Sequence, residues 1–144
     1  MTGARLSRSA AAGARVPTPV QDVAGASILV VEDETALANA VTDALSDAGY
    51  VVARAADGEE ALAEVNARQF DLVICDLKMP RLDGKAFYHA LAEARPSLVK
   101  RVIFVTGDVA GTDAEQFLVD SGCRWLAKPF RLADLLRTVR EGLS

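Results

Sequence analysis

From Ser27 onward, short apolar runs alternate with amphipathic stretches five times, and this alternation constrains the fold more than any other feature. The apolar runs are Ile28–Val31, Val51–Ala55, Leu72–Cys75, Val102–Val105 and Trp125–Ala127. Val and Ile dominate the first four, with little internal alternation of polarity. That pattern predicts strands buried on both faces, as in a parallel sheet. The fifth run is shorter and weaker.

The stretches between the runs carry helical spacing. Leu37, Ala40, Val41, Ala44, Leu45 and Ala48 recur every three or four residues and form one apolar stripe. Gly49 then offers the left-handed residue that ends a helix. Ala61, Leu62 and Val65 mark a second helix, with Asp57 placed to cap it. Phe87 and Leu91 mark a third, closed before Pro96. Ala114, Phe117 and Leu118 mark a fourth that stops at Gly122, and Leu132, Leu135, Leu136 and Val139 mark a fifth. Strands and helices in strict alternation predict a doubly wound α/β domain with helices on both faces of a parallel sheet. Ligands of such sheets sit beyond the carboxyl ends of the strands, where the strand order reverses.

A chain of 144 residues fits one such domain with a little to spare. The surplus is at the start: residues 1–26 are rich in Ala, Gly, Ser and Pro, without sustained periodicity, and read as a flexible tail or linker before a domain over 27–144. That tail holds three of the 16 basic side chains and one of the 20 acidic ones, so the domain itself is distinctly acidic. An acidic domain lacks the electrostatic footprint of a nucleic-acid binder. No apolar stretch reaches spanning length, and the N-terminus lacks the apolar core of a secretory signal, so neither a membrane nor export is expected. Cys75 and Cys123 both lie in short apolar runs and read as buried, unpaired strand residues.

The polar residues that close the strands carry the chemistry. The first run ends in Glu32-Asp33, the third in Asp76, the fourth in Thr106 and the fifth in Lys128. In a parallel sheet all five converge on one rim. Three neighbouring carboxylates raise one another's pKa unless a cation compensates them. Oxygen donors without His or thiolate favour a hard ion, Mg²⁺ first and Mn²⁺ as the alternative. Each residue also has a plain structural reading. Glu32, Asp33 and Glu34 suit the first turn of a helix, Asp76 suits a turn before Pro80, Thr106-Gly107 suits a strand exit, and Lys128 suits solvent. Their joint recurrence at four strand ends favours a site. His89, the single histidine, reads as a surface residue and not a phosphodonor.

The segments VVEDE (30–34), DLKMPRLDG (76–84), VTG (105–107) and KPF (128–130) occur in an order and setting that resembles the receiver domain of bacterial two-component response regulators. The resemblance spans residues 27–144. It implies a flavodoxin-like (βα)5 fold with strand order 2-1-3-4-5 and a cis Lys128–Pro129 bond. It implies that Glu32, Asp33, Asp76 and the backbone carbonyl of Lys78 hold Mg²⁺. Asp76 would take a phosphoryl group from a phosphohistidine of a histidine kinase or histidine phosphotransfer domain. Thr106 would hydrogen-bond that group and Lys128 would pair with it.

Receivers usually carry Tyr or Phe where this chain has Trp125, so Trp125 is either a bulkier switch partner of Thr106 or a packing residue. Lys78 and Asp108 flank the expected path of a hydrolytic water and are candidates for setting phosphoryl lifetime. The stretch FLVDSGCRWLAKPF (117–130) is most similar to receivers at the carboxyl end of hybrid histidine kinases, although a free-standing domain is equally compatible. A cytoplasmic protein is implied that is not an enzyme in the ordinary sense, and whose output surface spans about residues 111–142. A flavodoxin would need a Ser/Thr/Gly phosphate loop where Glu32-Asp33-Glu34 stands. A phosphatase with an aspartyl nucleophile would carry a second Asp where Lys78 stands.

Overall fold

A computed structural model describes residues 25–78, 83–107 and 113–144. Asp108, and residues 1–24 of the expected tail, lie outside these. Five parallel strands, β1 (Ser27–Val31), β2 (Val51–Ala55), β3 (Leu72–Asp76), β4 (Val102–Thr106) and β5 (Arg124–Ala127), form one sheet. Its order is β2-β1-β3-β4-β5. The main helices are α1 (Thr35–Asp47), α2 (Gly58–Ala67), α3 (Gly84–Ala94), α4 (Asp113–Ser121) and α5 (Leu132–Leu143). The fold is the flavodoxin-like arrangement expected from the alternation and the resemblance. The order reverses between β1 and β3, and the crevice there opens at the strands' carboxyl ends.

Side chains alternate across the sheet, so each central strand feeds two cores. Leu29, Val31, Val73, Cys75 and Phe104 point to one face and meet Ala61 and Val65 of α2, Phe87 and Leu91 of α3, and Leu118 of α4. Ile28, Val30, Ile74, Ile103 and Val105 point to the other and meet Val41 and Leu45 of α1 and Leu135 and Val139 of α5. Fully burying each such side chain contributes roughly 1.5–3 kcal/mol, which two continuous cores sum into stability without disulfides. Both described cysteines are free.

Local chemistry explains the helix ends. The Asp57 carboxylate accepts from the Glu60 amide, while the Glu60 carboxylate accepts from the Ala56 amide one residue ahead of the cap. Asp83 caps α3 in the same manner through the Ala86 amide. Gly49 and Gly122 adopt φ of +99° and +71°, the left-handed conformation their positions after α1 and α4 require.

Two expectations are corrected. β2 is not buried on both faces: it is an edge strand, and Val51 is 57% exposed. β5, the other edge, is likewise mostly exposed. Cys123 is half-buried in the turn before β5, unlike Cys75 within β3. Pro96 does follow the end of α3, but it also opens a one-turn helix, Pro96–Val99, because a ring without N–H suits a first helical position.

Candidate functional site

Each predicted polar residue emerges from a strand end, and neighbouring strands fix its backbone. The Glu32 amide donates to the Ala55 carbonyl of β2, and the Leu77 amide donates to Val105 of β4. The Lys128 amide donates to the Thr106 carbonyl at 2.8 Å, which ties the lysine to the threonine before either side chain acts. The Lys128–Pro129 bond is cis.

The side chains then converge. Lys128 Nζ lies 3.1 Å from Asp76 Oδ2 in a hydrogen-bonded ion pair and 3.0 Å from Glu32 Oε1. The contact with Glu32 is electrostatic, out of line for a good hydrogen bond. Asp76 Oδ1 accepts from the Lys78 amide at 3.1 Å, the local turn that an aspartate makes with the residue two ahead. Glu32 Oε2 accepts from the Glu34 amide. Glu32 and Asp76 are buried, Asp33 is exposed, and one oxygen from each of the three carboxylates lies within 4.8 Å of the others.

Two buried acids share one ammonium, and the imbalance is visible in their ionisation. Burial first, and the Asp76 charge second, push Glu32 up to about 7, against the pull of the Glu34 amide and Lys128. Burial disfavours the Lys128 ammonium, but the close carboxylates of Glu32 and Asp76 outweigh it and raise its pKa. The two shifts agree physically: the lysine has more negative partners than it needs, and the glutamate too few positive ones. The all-oxygen cluster fits a hard divalent cation, which supplies the missing charge. Both Asp76 oxygens and one Glu32 oxygen already accept hydrogen bonds, whereas the Asp33 carboxylate is exposed beside them.

Thr106 is 1% exposed and its hydroxyl has no hydrogen-bond partner among the described residues. A buried hydroxyl left unsatisfied costs about 1–3 kcal/mol, so an unpaired one at a strand end marks a place for a ligand atom. At Gly107 an added Cβ would, among the described residues, meet just the Lys128 Cβ, 4.0 Å away.

Trp125 stands apart from this cluster, on β5 in register with Phe104 and 40% exposed. Lys78 joins the site through its amide, and its side chain is exposed. His89 is exposed and packs edge-on against Tyr88 and Phe117, far in character from a phosphodonor.

Sequence reasoning missed two contributors. One is the Lys78 amide. The other is Gly84, where a Cβ would lie 2.8 Å from the Asp76 carbonyl oxygen and 2.8 Å from the Leu77 Cα. The start of α3 therefore rests directly on the backbone that carries Asp76. An Asp-Gly pair before an apolar helix was the available signal, and it reads equally as an ordinary turn.

The sequence matches the response regulator receiver domain family over residues 28–140, and the chain belongs to that family, the receivers of two-component systems. It is 37% identical over 126 residues to the sensor kinase CckA of Brucella abortus, covering 85% of this chain and 13% of that protein. It is 34% identical over 119 residues to the transcriptional regulatory protein TcrA of Mycobacterium tuberculosis, covering 82% of this chain and 46% of that one. The chain thus spans less than half of these relatives. Among solved structures, a CheY-like receiver domain protein from Methanospirillum hungatei superposes with a TM-score of 0.76 at 30% identity, covering 83% of this chain and 94% of that one. The chemotaxis protein CheY4 of Vibrio cholerae gives 0.74 at 34% identity, covering 83% and 100%.

Proposed function

We propose that the domain accepts a phosphoryl group on Asp76 from a phosphohistidine of a histidine kinase or histidine phosphotransfer domain, and changes conformation as a result. The observation that carries the reading is the convergence of a buried, ion-paired aspartate with a buried hydroxyl that has no partner among the described residues.

Asp76 needs no general base, because a carboxylate paired with Lys128 is already the nucleophilic form. One Asp76 oxygen forms the new O–P bond as the donor's N–P bond breaks, and the departing imidazole nitrogen retains the electron pair and takes up a proton. The Lys78 amide and Lys128 hold the carboxylate in a fixed orientation before transfer. As charge moves onto the phosphoryl oxygens, Lys128 pairs with one and the Thr106 hydroxyl donates to another. Asp33 and Asp76, with Glu32 and the Lys78 carbonyl, would hold Mg²⁺, or Mn²⁺ in its place, and the ion would neutralise phosphoryl charge. The product is a modified domain, so the protein is not a turnover enzyme, and the reading is of a cytoplasmic component. Among the described residues no helix is long and apolar enough to cross a membrane.

Output through residues 111–142 is supported by Val119, Trp125 and Leu132, the large apolar side chains exposed on that stretch. A second reading, a receiver segment of a hybrid kinase that exchanges phosphate with a histidine phosphotransfer domain, is favoured by the 37% identity to CckA. The central test is labelled phosphotransfer from a histidine kinase, or from acetyl phosphate, with Mg²⁺ present. Wild type should be labelled, while Asp76→Asn and wild type in chelator should not. Equal labelling of wild type and Asp76→Asn would refute the assignment.

A further inference from the structure

The opposite end of the sheet carries a second, chemically different cavity. It has a volume of about 650 Å³ and lies between the segment entering β3 and the one entering β4. Five strand residues separate it from the carboxylate rim, roughly 17 Å at 3.3 Å per residue. Phe70, Pro96 and Leu98 provide apolar walls, and Arg95, Lys100 and Arg101 bring three cations to its edge.

The chain carries a formal net charge of −4, yet Arg95, Lys100 and Arg101 form no ion pair among the described residues. The acid that lines the cavity, Asp71, is already engaged: its Oδ2 accepts from the Ser27 amide at 2.8 Å.

The backbone that bears them is tightly held. The Arg95 amide donates to Leu91, its carbonyl accepts from Leu98 and Val99, and the Arg101 amide donates to Leu98 while its carbonyl accepts from Val73. The guanidinium groups therefore project from fixed points, which reduces the ordering cost of binding. A mouth of this size suits a small molecule better than an extended chain. Planar guanidinium forks with an ammonium suit phosphate, and the apolar walls suit an organic body attached to it.

We propose that this cavity binds a small organic phosphate, with Arg95, Lys100 and Arg101 on the phosphate groups and Phe70 and Leu98 beneath the organic part. The site is separate from the phosphoryl acceptor and does not depend on the function proposed above. α3 connects the two ends, since Ala94 lines the cavity and Gly84 abuts the Asp76 backbone.

The test is an amide NMR titration of the full chain carrying Asp76→Asn, in chelator, with adenosine diphosphate as the probe. These conditions remove the metal-dependent rim from the result. Saturable shifts should appear at residues 68–71 and 94–101, and Arg95→Gln and Arg101→Gln should each weaken binding roughly tenfold or more. Both residues are exposed, so the variants should keep the wild-type spectrum elsewhere. A poly-glutamate peptide serves as the competing class of ligand. Absence of saturable shifts at 10 mM probe (about the weakest binding worth the name) would overturn the proposal. So would shifts confined to the rim, affinity unchanged in both variants, or saturable binding of the peptide without the diphosphate.

Discussion

Gly84→Ala is the substitution for which the structure gives the clearest magnitude. The added Cβ would sit 2.8 Å from the Asp76 carbonyl oxygen, 2.8 Å from the Leu77 Cα and 3.0 Å from the Leu77 carbonyl oxygen. All three are backbone atoms, so no rotamer change relieves the overlap, and α3 or the segment after β3 must move. Overpacking of this kind costs about 1–3 kcal/mol. Against it stands about 0.4–1 kcal/mol gained by restricting the unfolded chain, since Gly84 is not at a positive φ. The net loss is about 1–2 kcal/mol.

With a urea m-value of about 1.5 kcal/mol per molar, the unfolding midpoint should fall by about 1 M at unchanged m. Gly142→Ala is the internal control. Its Cβ would meet the Leu72 Cδ1 at 2.9 Å, the tip of a side chain that can turn away, so its midpoint should stay within a few tenths of a molar. A Gly84→Ala midpoint equal to or above that of Gly142→Ala would refute the idea that backbone contact fixes this junction.

Other expectations are simpler to measure. Asp57→Ala removes a cap and half of a reciprocal pair with Glu60, and chemical denaturation should show a loss of about 0.5–2 kcal/mol. Burial raises the Cys123 thiol above its usual 9.0, against a hydrogen bond from Ser121, so the folded state holds that proton more tightly than the unfolded chain. The resulting stability is present below pH 9 and declines as pH rises through the folded value. Cys123→Ser should therefore flatten part of the alkaline loss seen in thermal melts. Lys78→Ala should change the decay rate of the phosphorylated domain but leave phosphate acceptance intact, because the amide that holds Asp76 survives the change. An unaltered decay rate would remove Lys78 from lifetime control. Trp125 is the single tryptophan, so an emission change on adding beryllofluoride with Mg²⁺ reports that ring alone, and a constant spectrum despite binding would rule out a switch role.

Much of the architecture was legible because strand and helix periods differ so plainly. The Leu37–Ala48 stripe and the unbroken Leu72–Cys75 run leave little choice of element. β2 was misread for a physical reason. Val51–Ala55 has the composition of a buried strand, and although the order implied by the resemblance already put β2 at an edge, how far its faces are covered depends on long-range packing that local composition does not carry. The site residues were legible through their place at strand ends. What escaped was backbone chemistry: the Lys78 N–H on Asp76 and the bare approach of Gly84 leave no mark on side-chain identity. The outward face of Trp125 was hidden as well, since a short edge strand exposes rings that a central strand would cover.

The tie between the Lys128 amide and the Thr106 carbonyl has a consequence for how the chain matures. Ribosomal synthesis releases the acids of the rim first and their ammonium last. Until β5 docks on β4, the sheet draws Glu32, Asp33 and Asp76 together without the Lys128 ammonium that pairs with two of them. A nascent or truncated chain ending before Lys128 therefore opposes its own closure, and docking of the last strand removes that opposition. Pairing of Asp76 with Lys128 and completion of the fold then arrive in one event, so a half-made domain holds the acids of the rim without their ammonium.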